Sequence, residues 1–347
     1  MSGDKKKLAP EQKAMKQLGR NLIILVVLMV LVFWFIFRDQ NVGEILAIAQ
    51  GADKFYILLG MVLMMGYFSL QAWNVETLLK SFGEKITFWQ MLKFTLIEFF
   101  FCAVTPGATG GQPVEIYYMT KEKISGANAT LAIFVQLFSM QFAIVAFGIV
   151  CLPFVVTKMN TAVWILYIAG MLINGAALAL MWTCIVSPKA VEKLADLGLG
   201  LLGKINEQKA EELKGKLGKA LKEYKKNSKF IRGHKKEFRI SILKVMGQVT
   251  LFYAVPFCIY RAFGLAGESI FSLFCLQAVL FVATSGLPLP GAIGASESVF
   301  LALYGGAFGT ELLSSAMLLN RSVTFYWFVV VSLIVVMVTM MKKDNKK

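Results

Sequence analysis

Four charged residues lie near two Pro- and Gly-rich breaks in the apolar stretches of this sequence, where ionisable side chains are rare: Glu98, Glu115, Glu297 and Arg321. An ionisable side chain at membrane depth costs about 3 kcal/mol or more, so such residues usually mark an ion pair or a transport pathway. Arg321 can bind a phosphate through two N–H groups or can neutralise Glu297, and these two roles are compatible. Glu98 can instead face the polar residues 74–90, and Glu115 can be a solvated surface charge.

Two related motifs rich in Pro and Gly accompany these charges. The first motif reads Thr105-Pro106-Gly107-Ala108-Thr109-Gly110-Gly111-Gln112 and is followed by Glu115. The second motif reads Pro290-Gly291-Ala292-Ile293-Gly294 and is followed by Glu297. The five aligned positions from Pro to the last Gly differ only at Thr109 against Ile293. Each motif interrupts an apolar run, so the recurrence predicts that the two breaks meet at one site inside a membrane.

A backbone broken by Pro and Gly leaves amides and carbonyls without partners in a helix. In hydrocarbon each such group costs several kcal/mol, so a broken backbone persists only against protein or a wet cavity. Glycines let a ligand or another backbone approach closely. A helix that starts after the break directs its positive end at the cavity, which suits an anion such as a lipid phosphate. The alternative is a tight interhelical turn in which the glycines serve packing alone.

Five glutamines supply uncharged donors in the apolar stretches. They can line such a cavity, or they can form hydrogen bonds between helices, which is their commoner role in membranes. These glutamines are Gln112, Gln136, Gln141, Gln248 and Gln277.

The composition indicates a membrane protein. The 347 residues are 57% hydrophobic with a mean hydropathy of +0.65, and several windows of about 20 apolar residues can each cross a bilayer. The net charge of +15 is concentrated in the segments 5–20, 189–239 and 342–347. This is the distribution expected of cytoplasmic flanks, so we expect a plasma-membrane protein with both termini and residues 187–240 in the cytoplasm and no nucleic-acid partner.

The chain divides into a basic tail (1–20), a first membrane half (21–186), a basic linker (187–240), a second membrane half (241–341) and a short tail (342–347). The linker holds 15 Lys and Arg against 7 Asp and Glu, with Leu213, Leu217, Leu221 and Tyr224 at helical spacing. That spacing predicts a basic amphipathic helix, either on the inner leaflet or in solvent.

Placing every basic region on one side requires an even number of crossings. Six full spans satisfy this, at 21–37, 55–73, 129–153, 162–186, 241–263 and 312–341. The segments 92–104 and 269–287 then lead into re-entrant hairpins of opposite orientation, as in the inverted repeats of many transporters. If 269–287 and 293–308 cross fully, the count is eight. We therefore predict an all-α polytopic membrane protein with 6–8 transmembrane helices and a pseudo-repeat.

The two motifs, followed by Arg321 and the aromatic residues Phe325, Tyr326 and Trp327, resemble the transmembrane region of the lysylphosphatidylglycerol synthase/flippase family. The resemblance extends over residues 20–340. It implies a membrane domain that moves an aminoacylated phospholipid between leaflets and is associated with resistance to cationic antimicrobial peptides. In larger members this domain precedes one that transfers lysine from tRNA to phosphatidylglycerol.

This sequence departs from the family pattern in three places. Gln112 stands where the family often has an acidic residue, and Ala295-Ser296 replaces a second glycine pair. Only six residues follow Met341, so we expect no aminoacyl-transferase domain and no lysyltransferase activity from this chain. These departures weaken lysyl-phosphatidylglycerol as the substrate.

We therefore expect a lipid flippase or transporter-like protein that binds an anionic or aminoacylated phospholipid, or a polyprenyl phosphate, between the two motifs. The predicted contacts are Thr105, Pro106, Gly107, Gly110, Gly111, Gln112, Glu115, Pro290, Gly291, Gly294, Glu297 and Arg321. One alternative is a lipid-modifying enzyme that uses Glu98, Glu115 or Glu297 as its base, and another is a scaffold for a separately encoded lipid synthase. A homo-oligomer is compatible with the sequence. With no P-loop motif, we expect no direct use of ATP and no cofactor.

Overall fold

The structure is a computed structural model that describes residues 42–187, Lys193 and residues 233–344. Within these ranges every regular element is helical, and five segments are long and apolar enough to cross a membrane. The predicted class, an all-α polytopic membrane protein, is therefore confirmed. The tail 1–20, the span 21–37, the amphipathic helix in the linker and residues 345–347 lie outside the described residues.

Ten α-helices form the described part of the chain. They are α1 (Val42–Gly51), α2 (Lys54–Ser81), α3 (Phe88–Val104), α4 (Gly111–Lys121), α5 (Gly126–Val155), α6 (Thr161–Val186), α7 (Lys235–Ala262), α8 (Ile270–Ser285), α9 (Ala295–Arg321) and α10 (Trp327–Asp344). Two 3-10 turns, Pro106–Ala108 and Pro290–Ala292, interrupt the chain at the two motifs. A single π-helical turn, Ser322–Tyr326, joins α9 to α10.

Four crossing segments coincide with α2, α5, α6 and α7. The fifth is the segment Pro290–Thr339, which runs from the second motif through α9 and the π turn into α10 and is divided at Gly309 by a positive φ of 68°. One predicted boundary is wrong: the second span does not end at residue 73, because α2 continues to Ser81. The polar side chains there are accommodated inside the bundle, where Asn74 donates to Gln136 and Glu76 accepts from Lys80.

The two ends of the bundle are identified by their ion pairs. At the Lys93 end, Lys93 lies 3.5 Å from Glu122 and the side chain of Asn128 donates to Glu84 at 2.7 Å. At the opposite end, called the Lys158 end, Lys158 lies 3.1 Å from Glu268. The crossing helices connect these two ends.

The two motifs form the tips of two helical hairpins that enter from opposite ends. The Lys93–Glu122 pair joins the start of α3 to the residue after α4, so both outer ends of the first hairpin lie at the Lys93 end. The second hairpin pairs α8 with the part of α9 before Gly309. Its outer ends lie at the Lys158 end, because Glu268 precedes α8 and the ring of Phe308 packs 5.5 Å from that of Tyr260 near the end of α7. The hairpins are therefore inverted relative to each other.

Candidate functional site

The two hairpin tips have nearly the same backbone conformation. Gly107 (φ 61°, ψ 23°) and Gly291 (φ 57°, ψ 17°) are both left-handed, and the alanine after each is left-handed too, with φ 55° at Ala108 and 51° at Ala292. Glycine takes this conformation without a steric penalty. A residue with a Cβ pays about 1–2 kcal/mol, and such strained residues cluster at functional sites. The sequence repeat is thus a repeat of an unusual turn.

The two tips contact each other inside the bundle. A Cβ placed on Gly107 would lie 4.0 Å from the Cα of Pro288, which precedes the second turn. A cavity of about 360 Å³ lies beside this contact and is lined by both tips. Its polar lining residues are Tyr67, Gln71, Glu98, Cys102, Gln112, Gln136, Gln277, Thr284, Ser285, Ser296, Asn320, Arg321 and Thr324. We take this cavity as the candidate site.

Arg321 and Glu297 form a buried ion pair in the wall of this cavity. Arg321 Nε donates to Glu297 Oε1 at 2.8 Å, and Arg321 Nη2 donates to the carbonyl of Gly291 at 3.0 Å. The guanidinium also lies 4.5 Å from the ring centre of Phe325, a cation–π distance. Arg321 therefore ties the second hairpin tip to the π turn at which its own helix ends.

Glu297 closes the first turn of α9 as well as neutralising Arg321. Its Oε2 accepts from the amide of Gly294 at 2.7 Å and from the hydroxyl of Ser296 at 3.0 Å. Ser296 lines the cavity, whereas Glu297 itself is fully buried behind it. Of the two roles proposed for Arg321, the structure shows the pairing with Glu297 directly.

Glu98 lies on the opposite wall, in α3. Gln71 donates to its Oε2 at 3.1 Å, and Gln112 donates to its Oε1 at 3.2 Å. The alternative that Glu98 faces a polar connection over 74–90 is therefore wrong, because Glu98 lines the cavity. Glu115, one helical turn beyond Gly111, is also buried, with 1% of its surface exposed. The alternative of a solvated surface charge at Glu115 is wrong as well.

The other predicted residues shape the hairpins. Thr105 Oγ1 accepts from the amide of Gly110 at 2.9 Å and closes the first tip. Gly111 lies against α3, and Gly294 begins α9 at φ 86°. Pro106 lies in the first 3-10 turn, and Pro290 is buried in the second. Four of the twelve predicted residues line the cavity directly: Gly107, Gln112, Gly291 and Arg321.

Sequence reasoning missed several cavity residues, including Gln71, Ser296 and Asn320. Their signal is weak, because each is a single polar residue in an apolar helix and resembles an ordinary interhelical hydrogen-bonding residue. Among the five predicted glutamines, Gln112, Gln136 and Gln277 line the cavity. Gln141 donates to Asn174 at 2.6 Å and serves the interhelical role.

A larger apolar groove of about 1210 Å³ lies between α5, α6 and the start of α7. It is lined mainly by residues such as Phe138, Phe142, Leu178 and Trp182, with Arg239 as one of its two cations. Neither hairpin tip borders it, so it is less suited to be the candidate site than the smaller polar cavity.

Five crossing segments around two inverted, touching hairpins define a polytopic α-helical membrane protein with the inverted-repeat architecture found in many transporters. The chain belongs to the family described as the lysylphosphatidylglycerol synthase TM region, which it matches over residues 22–332. The resemblance that the motifs indicated is thereby confirmed.

Two archaeal relatives match most of the chain. A UPF0104 membrane protein of Archaeoglobus fulgidus is 21% identical over 284 residues, which cover 81% of this chain and 85% of that protein. A UPF0104 membrane protein of Methanothermobacter thermautotrophicus is 24% identical over 299 residues, which cover 83% and 86%. These relatives support a multi-pass membrane protein.

Proposed function

We propose that this protein binds a phospholipid headgroup in the cavity between the two hairpin tips and moves the lipid between leaflets. The observation that carries the proposal is that one cavity is bounded by both tips, one from each inverted half. A site at such an interface can open alternately to the two sides of the membrane, as transporters of this architecture do. Membership of a family named for a lipid synthase is consistent with a lipid substrate.

The chemistry of the lining suits a headgroup. Among the described residues that line the cavity, Arg321 is the only Lys or Arg. Its guanidinium carries five N–H donors, more than its contacts with Glu297 and Gly291 require. A phosphate can therefore bind beside the ion pair through charge-assisted hydrogen bonds. Apolar lining residues such as Phe68, Met140, Leu280 and Phe281 can contact an acyl chain.

Filling the cavity at Ala108 tests this function. Ala108 is exposed, lines the cavity and already has a left-handed backbone, so Ala108→Leu adds volume where the lipid would bind. We expect lipid translocation by the protein in liposomes to fall by about tenfold or more, since 1.4 kcal/mol of lost binding gives that factor. Phospholipid that co-purifies with the protein, measured by mass spectrometry, should fall in parallel.

The matched control is Ala176→Leu, which adds the same side chain at an exposed position of α6 that does not line the cavity. This variant should translocate lipid as the unaltered protein does. Equal activity of both variants would show that the cavity is not on the lipid path.

The proposal also includes an orientation in the plasma membrane, with the Lys93 end facing the cytoplasm. The basic linker joins α6 to α7 at this end, and α10 ends within the basic segment 342–347, so the positive-inside rule favours this side. Single cysteines at Lys5, Gly215 and Asn345 should be labelled by a membrane-impermeant maleimide only after the cells are broken. Labelling of any of the three in intact cells would contradict this orientation.

A further inference from the structure

The first hairpin buries two carboxyl groups that have no cation beside them. Glu98 in α3 and Glu115 in α4 are 9% and 1% exposed. Among the described residues, neither carboxylate has a Lys or Arg within 4.0 Å, whereas Glu297 of the second hairpin pairs with Arg321. The two hairpins therefore differ in whether a buried carboxylate has a cation beside it.

Glu98 lies at the end of a chain of side-chain amides that all donate in one direction. Asn74 donates to Gln136 at 2.6 Å, Gln136 to Gln248 at 3.1 Å, and Gln248 to Gln71 at 3.1 Å. Gln71 then donates to Glu98 at 3.1 Å. Hydrogen bonds aligned in this way polarise one another, and donors aimed at a carboxylate favour its ionised form.

Two further donors reach the other oxygen of Glu98. They are the amide of Gln112 at 3.2 Å and the thiol of Cys102 at 3.2 Å. Both oxygens of Glu98 therefore accept hydrogen bonds, which offset part of the free energy that burial adds to its ionised form.

Glu115 has the opposite environment. Its Oε1 is buried and has no hydrogen-bond partner in the described part of the chain. A buried carboxylate oxygen without a hydrogen-bond donor is unfavourable while the group is ionised, and binding a proton removes the charge. Glu115 lies one helical turn after Gly111, and a Cβ placed on Gly111 would be 3.1 Å from the Cγ of Glu98. Two like charges that share a buried site disfavour ionisation of both together.

We propose that Glu98 and Glu115 form a proton-binding pair that couples lipid translocation to the proton gradient. The proposal rests on the lipid-transport function given above and deepens it by naming an energy source. The pair holds one proton on Glu115 while Glu98 is ionised. When the pair releases it, the O–H bond of Glu115 breaks as an O–H bond forms on Glu98, which lines the cavity and passes the proton to water there.

The surroundings leave few other groups that can take this proton. Among the described residues, the other titratable side chains that line the cavity near Glu98 are Tyr67 of α2 and Cys102 of α3, and Cys102 donates to Glu98 at 3.2 Å. The α5 helix contributes the neutral Gln136 to this region, and α10 has no titratable residue from Trp327 to Thr339. Arg321, across the cavity, is already paired with Glu297.

Infrared spectroscopy of the full-length protein in liposomes tests the proton-binding pair without requiring lipid movement. At neutral pH the protein should show the C=O stretching band of a protonated carboxylic acid. Glu115→Gln should lose this band. The matched control Glu76→Gln, which alters a buried carboxylate that is paired with Lys80, should retain it. A band that persists in Glu115→Gln would overturn the proposal.

A second variant serves if Glu115→Gln does not fold. Glu98→Gln removes the neighbouring negative charge, so Glu115 should ionise more readily and its band should disappear at a lower pH than in the unaltered protein. An unchanged or higher midpoint would show that the two carboxyls do not act as a pair.

Translocation under a pH gradient tests the coupling. If one proton moves with each lipid, one pH unit across the liposome membrane should change the steady-state ratio of lipid between leaflets by about tenfold. Glu76→Gln should respond in the same way, and Glu115→Gln should lose the response. If the steady-state ratio of lipid between leaflets does not change with the pH gradient in the unaltered protein, the proposed coupling is wrong. Absence of all lipid movement would contradict the proposed function, while the infrared result would still decide whether the pair binds a proton.

Discussion

Replacing Arg321 by alanine is expected to destabilise the protein by about 3–5 kcal/mol, because it leaves the buried Glu297 without its counter-ion. Glu297 would keep the hydrogen bonds from Gly294 and Ser296 but would lose the 2.8 Å contact with Arg321. The same change removes the hydrogen bond from Arg321 to the carbonyl of Gly291 at the second hairpin tip. Thermal or denaturant unfolding in detergent should show the loss.

The double variant Glu297→Gln/Arg321→Ala separates the structural role of Arg321 from contact with lipid. Removing both charges should recover much of the stability lost in Arg321→Ala, because no charge then remains buried and unpaired. If Arg321 also binds the lipid phosphate, lipid translocation should stay low in the double variant even though its stability is recovered. Full recovery of translocation would show that Arg321 serves only to pair with Glu297. Unfolding as severe as in Arg321→Ala would contradict the ion-pair argument.

The paired breaks could be predicted from the sequence, because Pro and Gly act through local backbone geometry. Pro106-Gly107 and Pro290-Gly291 end their helices wherever the rest of the chain lies, and their recurrence indicated a shared site. The pairing of Glu297 with Arg321 was also expected, because opposite charges in an apolar environment are driven together. These inferences needed no knowledge of how the helices are arranged.

The surroundings of the first hairpin could not be predicted in this way. The amide chain that ends at Glu98 joins side chains from α2, α5 and α7, and nothing in the local sequence says which polar residues meet. The end of α2 could not be predicted for the same reason. Asn74 is a polar residue, but its side-chain amide donates hydrogen bonds to Gln136 and Ser241 on other helices. The burial of Glu115 depends on how α4 packs back onto α3.

That packing makes Gly111 the position of the other large expected effect. A Cβ at Gly111 would lie 2.7 Å from the backbone oxygen of Glu98 and against the sulfur of Cys102. Backbone of a neighbouring helix cannot move aside as a flexible side chain can, so Gly111→Ala must push α4 away from α3. We expect a loss of about 1–3 kcal/mol in the free energy of unfolding, the range found for overpacked interiors.

The same displacement should reach the cavity. Gln112, the next residue, donates to Glu98 at 3.2 Å, and a separation of α4 from α3 would lengthen this hydrogen bond. Lipid translocation by Gly111→Ala should therefore fall even in detergent and lipid conditions in which the variant remains folded. Gly175→Ala in α6 is the matched control, because its added Cβ meets nothing within 4 Å, and it should be neutral or stabilising by up to about 1 kcal/mol.

A second substitution distinguishes the two neighbours of the added methyl group. Cys102→Ala removes the sulfur but leaves the Glu98 carbonyl in place. Adding Gly111→Ala to Cys102→Ala should therefore lower the free energy of unfolding by less than Gly111→Ala does in the unaltered protein, but should still lower it. If Gly111→Ala costs no stability in the Cys102→Ala background, the steric clash is with the sulfur, and the two helix backbones can separate freely. Partial recovery would show that Gly111 is required because α3 and α4 approach each other closely, and not because a ligand needs the space.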